Sequence, residues 1–329
     1  MIDFIEATLH PERYHGHTKS PPYFEGWYFK IVDLSEDHRY AIIPGVSLSS
    51  GGEEGPHAFV QVLDGMSGRT AYHVYPLEAF WAARDRFEIH VGPNRFTDDY
   101  AELEVEGSSL NVRGRVGFEG TTRWPVSFLS PGIMGWYAWV PFMETYHGVL
   151  SFDHALQGSL VIDDVNVDFT GGRGYIEKDW GESFPSGWVW FQSNHFEEPG
   201  TCLTASIAMI PWVGRAFRGF IVGLWHGGTL YRFATYTGAV TERLDVHPDR
   251  VEWVVSDALY RLEMVAWRSE AGGLRGPSKV DMGMRVPETL RSTVEVRLLA
   301  RRGGRTLFRE TGRNAGLEVV GDLDTLLNP

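Results

Sequence analysis

The chain has 329 residues, of which 43% are hydrophobic and 22% charged, with a formal net charge of −13 and one cysteine, Cys202. This balance excludes a disordered chain, the acidity argues against a nucleic-acid partner, and a lone cysteine forms no internal disulfide. The nearest approach to a basic cluster, Arg301-Arg302-Gly303-Gly304-Arg305, lies between two alternating segments and reads as an exposed hairpin turn.

In chain order, Met1–Glu6 shows no basic region followed by an apolar run, so the expected address is cytoplasmic and reducing. The first strand signal is Tyr23-Phe24-Glu25-Gly26-Trp27-Tyr28-Phe29-Lys30, where Glu25, Trp27 and Phe29 share a face. Glu25 reads either as a buried acid among aromatics or as part of a structural opening strand. Ala101–Glu106 alternates apolar and acidic residues, and Leu110, Val112, Val116 and Phe118 share a face opposite Asn111, Arg113 and Arg115. These are half-buried antiparallel strands.

The longest uncharged stretch, Trp124–Met143, is broken by Pro125, Pro131, Gly132, Gly135 and Pro141 and is not a membrane span. After it come Glu144 and His147, three residues apart but in no metal pattern. His10, His15 and His17 are also loosely spaced, and with no HExxH or paired-cysteine framework no metal is expected. Composition changes near Gly148–Gly158, which predicts two domains, residues 1–155 and 156–329.

Read as a strand, Arg173–Trp180 turns Arg173, Tyr175, Glu177 and Asp179 to one side and Gly174, Ile176, Lys178 and Trp180 to the other. Two readings stay open: a phenol and two acids set up for acid catalysis, or a solvated charged face beside a lysine. The next segment places Trp188, Trp190, Gln192, Asn194 and Phe196 on one face, either a pocket wall with polar anchors or a core strand. Gly171-Gly172-Arg173-Gly174 lacks the Lys-Ser/Thr of a phosphate loop, and no Gly-x-Ser-x-Gly elbow occurs. Tyr260, Leu262, Met264 and Ala266 repeat the strand alternation, and Leu317–Leu327 reads as a closing turn or short helix. The fold class predicted throughout is all-β, a barrel or sandwich.

Several motifs in order then carry a family resemblance. Phe24–Phe29 matches an opening Phe-Glu-Gly-Trp-Tyr-Phe. Glu177-Lys178-Asp179-Trp180-Gly181, Phe184-Pro185 and Trp188 through Asn194 match a central block, and Leu274-Arg275-Gly276-Pro277 a later one. Together these resemble the tocopherol cyclases. The central block is also similar to that of the carotenoid 1,2-hydratases, whose tyrosine falls on Tyr175 and whose catalytic aspartate falls on Glu177.

The resemblance implies two lipocalin-like β-barrels side by side, with a substrate cleft between or inside them. It implies a cofactor-independent enzyme that protonates a prenyl double bond of a prenylated hydroquinone or similar isoprenoid and closes a chromanol ring. Water addition, or a non-catalytic carrier of prenylated lipids, are the alternatives. Glu177 would donate the proton, with Tyr175 and Asp179 tuning or relaying it. Glu25, Trp27, Glu144, Trp188, Trp190, Gln192 and Asn194 would contact substrate, Trp188 and Trp190 by stabilising a cation. The implied partner is a hydrophobic small molecule, collected through transient contact with a membrane surface. Asp179 stands where the family has asparagine, turning a neutral amide into an acid.

Overall fold

The computed structural model describes residues 2–107 and 109–328. Among these the only α-helices are α1 (Ile2–Leu9) and α2 (Leu323–Leu327), and the rest of the extended structure is antiparallel β. The chain is therefore all-β, as its alternating pattern predicts. Helix α1 has no counterpart in that pattern. Leu317–Gly321, predicted to be a turn or helix, continues a strand, and only the last residues coil into α2.

Contacts divide the chain into two units, Met1–Phe184 with Gly272–Val286, and Pro185–Ala271 with Pro287–Pro329. In the first unit β1 (Phe24–Val32), β2 (Arg39–Ser47), β3 (His57–Asp64) and β4 (Thr70–Pro76) form a meander. Next come β5 (Phe80–Ala82), β6 (Glu88–Val91), β7 (Asn94–Thr97), β8 (Tyr100–Val105) and β9 (Val112–Thr122). The long β10 (Thr145–Ile162), β11 (Val165–Asp168) and β12 (Arg173–Gly181) complete the sheet. Its order is β4-β3-β2-β1-β12-β10-β9-β8-β7-β6-β5, with β11 paired to β10. The sheet curls on itself, because Val60 and Val62 of β3 share one core with Ile89 and Val91 of β6 and with Phe29, Ile31 and Ile176.

The predicted boundary at 155/156 falls inside β10. This 18-residue strand pairs with β9 on one side and β12 on the other, and takes up its irregularity in bulges rather than in a linker.

In the second unit β13 (Gly187–Ser193), β14 (Cys202–Trp212), β15 (Arg215–His226) and β16 (Thr229–Ala234) run in sequence, followed by β17 (Val240–Val246), β18 (Arg250–Ser256) and β19 (Tyr260–Trp267). β20 (Gly272–Gly276) lies in the segment that belongs to the first unit, and the long β21 (Met284–Ala300), whose first residues belong to it too, and β22 (Thr306–Gly321) close the series. The order is β16-β15-β14-β13-β22-β21-β19-β18-β17, and the core is built on Val189, Phe191, Trp253, Leu262 and Val296. Arg301 to Gly304 form the exposed turn between β21 and β22, as predicted.

Candidate functional site

Strand β12 is the centre of the first sheet, hydrogen-bonded to β1 on one side and β10 on the other. Its residues are buried on both faces, with Arg173 and Asp179 half-buried. Its glycines mark where space is tightest: a Cβ on Gly174 would come within 2.1 Å of His154 Nε2, and Gly181 ends the strand at φ +150°, a backbone open to glycine.

The face away from the core carries Tyr175, Glu177 and Asp179, as the alternation predicts. The Tyr175 hydroxyl donates to Glu177 Oε2 at 2.6 Å, Tyr175 is fully buried, and Glu177 is 5% exposed. The solvated-face reading therefore fails for these two residues. The register of β10 sets His147 opposite Asp179, with imidazole Nδ1 2.9 Å from Asp179 Oδ1 and Nε2 3.7 Å from Glu177 Oε2. Asp179 is the most accessible of the three, with 28% of its side chain exposed. The register of β1 places Tyr28 opposite Glu177, and the buried Lys30 opposite Tyr175.

His147, Glu177 and Asp179 bring ligand-type atoms within 4.8 Å of one another. The ring turns one nitrogen to each carboxylate, however, and a single ion can take only one of them. A bridging imidazole of this kind suits proton transfer between two acids.

The core face of the same strands holds a second polar cluster. Lys178 and Glu25 are both fully buried and form an ion pair with Nζ 2.5 Å from Oε1. The Lys178 ammonium also donates to the carbonyls of Pro11 (3.0 Å) and Arg13 and to His15 Nδ1 at 2.8 Å. His15 Nε2 lies 2.9 Å from the Ala7 carbonyl, so one neutral tautomer satisfies both ring nitrogens. Glu25 accepts the His15 backbone N–H on both oxygens (3.0 and 2.9 Å) and the Tyr23 hydroxyl. Trp27 and Trp180 lie near the ammonium at 4.8 and 4.6 Å, and His15 stacks on Trp180 at 4.4 Å.

Burial raises the Glu25 carboxyl, but Lys178 and His15 outweigh it and hold the group below the ordinary value. Burial lowers Lys178 against the opposing pull of Glu25. Burial, helped by the Lys178 charge, also lowers His15, and burial pushes Tyr23 well up.

The other predicted residues are dispersed. Trp27 packs against Phe87 in the core and donates to the Glu12 carbonyl at 3.2 Å, and Glu144 pairs with Lys279 at 3.0 Å. Trp188, Trp190, Gln192 and Asn194 belong to the second unit. There they are buried, the first three on the face of β13 opposite Val189 and Phe191. Trp188 Nε1 donates to Glu318 at 2.6 Å, Gln192 Nε2 to Cys202 Sγ at 3.6 Å, and Asn194 Oδ1 lies 3.0 Å from His195 Nδ1. Phe196 departs from its predicted face. The strand ends at Ser193, the chain bends to bridge His195 to Arg313, and Phe196 enters the core against Phe308.

No role for His147 or His15 follows from residue spacing. Both are visible as histidines near motif residues, but only the pairing of β10 with β12 and the fold-back of the N-terminal segment give them partners.

The tocopherol cyclase-like family model matches residues 112–321, a span that contains His147, β12 and β13. A sequence relative is "Probable tocopherol cyclase, chloroplastic" of Oryza sativa subsp. japonica. It is 23% identical over 371 residues, covering 94% of this chain and 77% of the relative. Among solved structures, CghA with Sch210972 has a TM-score of 0.56 at 10% identity, covering 92% of this chain and 90% of that one. Kievitone hydratase from Nectria haematococca has a TM-score of 0.50 at 11% identity, covering 94% of each chain. At such identities the two structures speak for the fold alone.

Proposed function

The chain belongs to the tocopherol cyclase-like family, and from that premise we propose that it is an acid-catalysed cyclase of a prenylated hydroquinone or similar isoprenoid, with Glu177 as proton donor. The observation that carries the proposal is the placement of Glu177: a buried carboxyl, hydrogen-bonded to Tyr175 and facing an imidazole that leads to the more accessible Asp179.

In this reading the Glu177 carboxylic acid gives its proton to the less substituted carbon of a trisubstituted alkene, leaving a tertiary cation. A phenolic oxygen of the same substrate attacks that cation and the ring closes. The phenolic proton then returns to the Glu177 carboxylate, so atoms and charge balance and no electrons are exchanged. Burial disfavours the ionised acid, and an apolar substrate excluding water strengthens that effect. Tyr175 positions the carboxyl, while His147 and Asp179 keep it in proton exchange with solvent. Trp188, Trp190, Gln192 and Asn194 are assigned to substrate contact by the family resemblance alone.

If water captures the same cation, the product is a tertiary alcohol, and one assay separates the outcomes. The protein is incubated with prenylated hydroquinones and with acyclic carotenoids, and products are resolved by chromatography and mass. An isobaric product of changed retention supports cyclisation, and a gain of one water supports hydration. Tight binding with neither product would sink the acid-catalysis reading in favour of a carrier.

A further inference from the structure

The uncharged stretch Trp124–Met143 is not a span, yet it is not simply buried either. Trp124, Ile133, Met134 and Met143 are buried, and Trp124 stacks on Phe152 of β10 at 5.3 Å. Between the first two anchors the chain makes a tight turn, in which Ser127 and Ser130 each donate a backbone N–H to the other's carbonyl at 3.1 Å. Phe128 and Leu129 form the tip of this turn, 63% and 83% exposed. The turn is braced from below. Trp139 Nε1 donates to the Phe128 carbonyl at 2.8 Å and its ring meets Phe128 at 5.1 Å, while the ring of Phe4 of α1 lies 6.1 Å from that of Trp139. Val126, Trp136 and Phe142 are exposed on the same stretch.

We infer that this turn is a membrane-surface anchor, with Phe128 and Leu129 inserting into the interfacial zone of an electrically neutral bilayer. The chemistry favours lipid over protein. Two adjacent large apolar side chains at the tip of a hydrogen-bonded turn offer a narrow point of insertion rather than the broad complementary surface that a stable protein interface needs. Trp136, Tyr137 and Trp139 follow closely in the chain, and aromatic residues of this kind settle at the headgroup level while aliphatic and phenyl groups reach deeper. The 20 residues from Trp124 to Met143 include no charged side chain, so nothing in the stretch needs removal from water at ionic cost. The net charge of −13 would be repelled by an anionic leaflet, so the matching surface is zwitterionic. Among the described residues no helix is long and apolar enough to cross a membrane, in keeping with a surface contact. The inference rests on this surface and not on the proposed reaction.

The test is co-sedimentation of the full chain with phosphatidylcholine vesicles. The wild type should partition onto them, with little loss in high salt. The Phe128→Ser/Leu129→Ser variant should partition at least about tenfold more weakly while its unfolding curve changes little, since both side chains are mostly exposed in the free protein. A Leu129→Cys variant labelled with a polarity-sensitive thiol dye gives a second readout, because the native Cys202 is buried. Its emission should shift to the blue when vesicles are added. Absence of vesicle binding by the wild type, equal binding by the double variant, or an unshifted dye would each overturn the anchor. So would a loss of self-association in the double variant without any vesicle binding, which would assign the tip to a second copy of the chain.

Discussion

Glu25 and Glu177 are both buried acids that accept a tyrosine hydroxyl, Tyr23 for one and Tyr175 for the other, yet they lie on opposite faces of the β1–β12 pair. Glu25 has a buried ammonium at 2.5 Å and two contacts from one backbone N–H, an arrangement that fixes its charge. Glu177 faces an imidazole at 3.7 Å, and the ring's other nitrogen reaches a second, more accessible acid, Asp179. Burial of a carboxyl is therefore a poor guide to its role. Glu25 also has an imidazole beside it, His15 Nδ1 at 3.4 Å, but the other nitrogen of that buried ring ends on the Ala7 carbonyl, so what differs is whether the neighbouring imidazole leads on to an accessible acid.

The largest effect expected from breaking this contrast is on turnover. Glu177→Gln keeps the shape and a hydrogen-bonding group beside Tyr175 but has no proton to give, so kcat should fall by roughly 10²–10⁴. Ligand binding and the unfolding midpoint should stay near wild type. Full activity in this variant would move the acid elsewhere. Glu25→Gln should do the reverse by leaving the Lys178 ammonium without its carboxylate. Removing one partner of a buried pair costs about 3–5 kcal/mol, which denaturant unfolding would register. Adding Lys178→Met to Glu25→Gln should recover part of the loss, and no recovery would mean that the two groups do not act as a pair.

His147→Gln sharpens the active half of the comparison. It keeps a polar side chain between the acids but cannot carry a proton, so turnover should drop by roughly 10- to 100-fold. The acid limb of the pH–rate profile should change shape while KM holds. A drop in KM-dependent binding alone would reduce His147 to a packing residue.

The structural half has its own pH signature. His154 sits under β12, with Nδ1 2.8 Å from Ser151 Oγ, and burial, aided by the Arg173 charge, lowers its pKa to about 3. His15 is lowered in the same direction. Below the ordinary histidine value of 6.5 the unfolded chain takes up these protons and the folded chain does not, so stability falls as pH drops from about 6.5. Each buried imidazole contributes a slope of roughly 1.4 kcal/mol per pH unit until its folded pKa is reached. The depressed Glu25 adds to the loss at lower pH, as it is protonated through its folded pKa. Unfolding free energies measured at pH 7, 6 and 5 should show this fall, and His154→Leu should flatten it by one proton's worth. An unchanged slope would mean that His154 is not held neutral by the fold.

The faces of β12 were legible because alternation is local: Tyr175, Glu177 and Asp179 separate from Ile176, Lys178 and Trp180 by strand geometry alone. Their burial was not legible, because it depends on β12 lying between β1 and β10, and the register that sets Trp27 opposite Lys178 joins distant parts of the chain. Lys178 looks like a surface charge until the segment from Pro11 to His15 folds back over it with two carbonyls and an imidazole. The composition change near Gly148–Gly158 marked a real irregularity, but it is a bulged strand and not a linker. Tyr260–Ala266 and Leu110–Phe118 are strands legible from the sequence because each alternates against a single core.

The smallest expected effect lies at Asp179, the position at which the motif resemblance leads one to expect asparagine. Asp179 accepts from His147 Nδ1, and an asparagine oxygen can accept the same hydrogen bond, so Asp179→Asn should preserve the ring's orientation. What it removes is a negative charge that favours the imidazolium, and with it a proton reservoir on the accessible side of Glu177. The variant should therefore lose only a few-fold in turnover at neutral pH. Its pH–rate profile should change shape, because the ring of His147 then faces a neutral amide in place of a carboxylate. Identical pH profiles for Asp179→Asn and wild type would remove Asp179 from the relay, leaving Glu177 to exchange its proton through Tyr175 or His147 without help from the second acid.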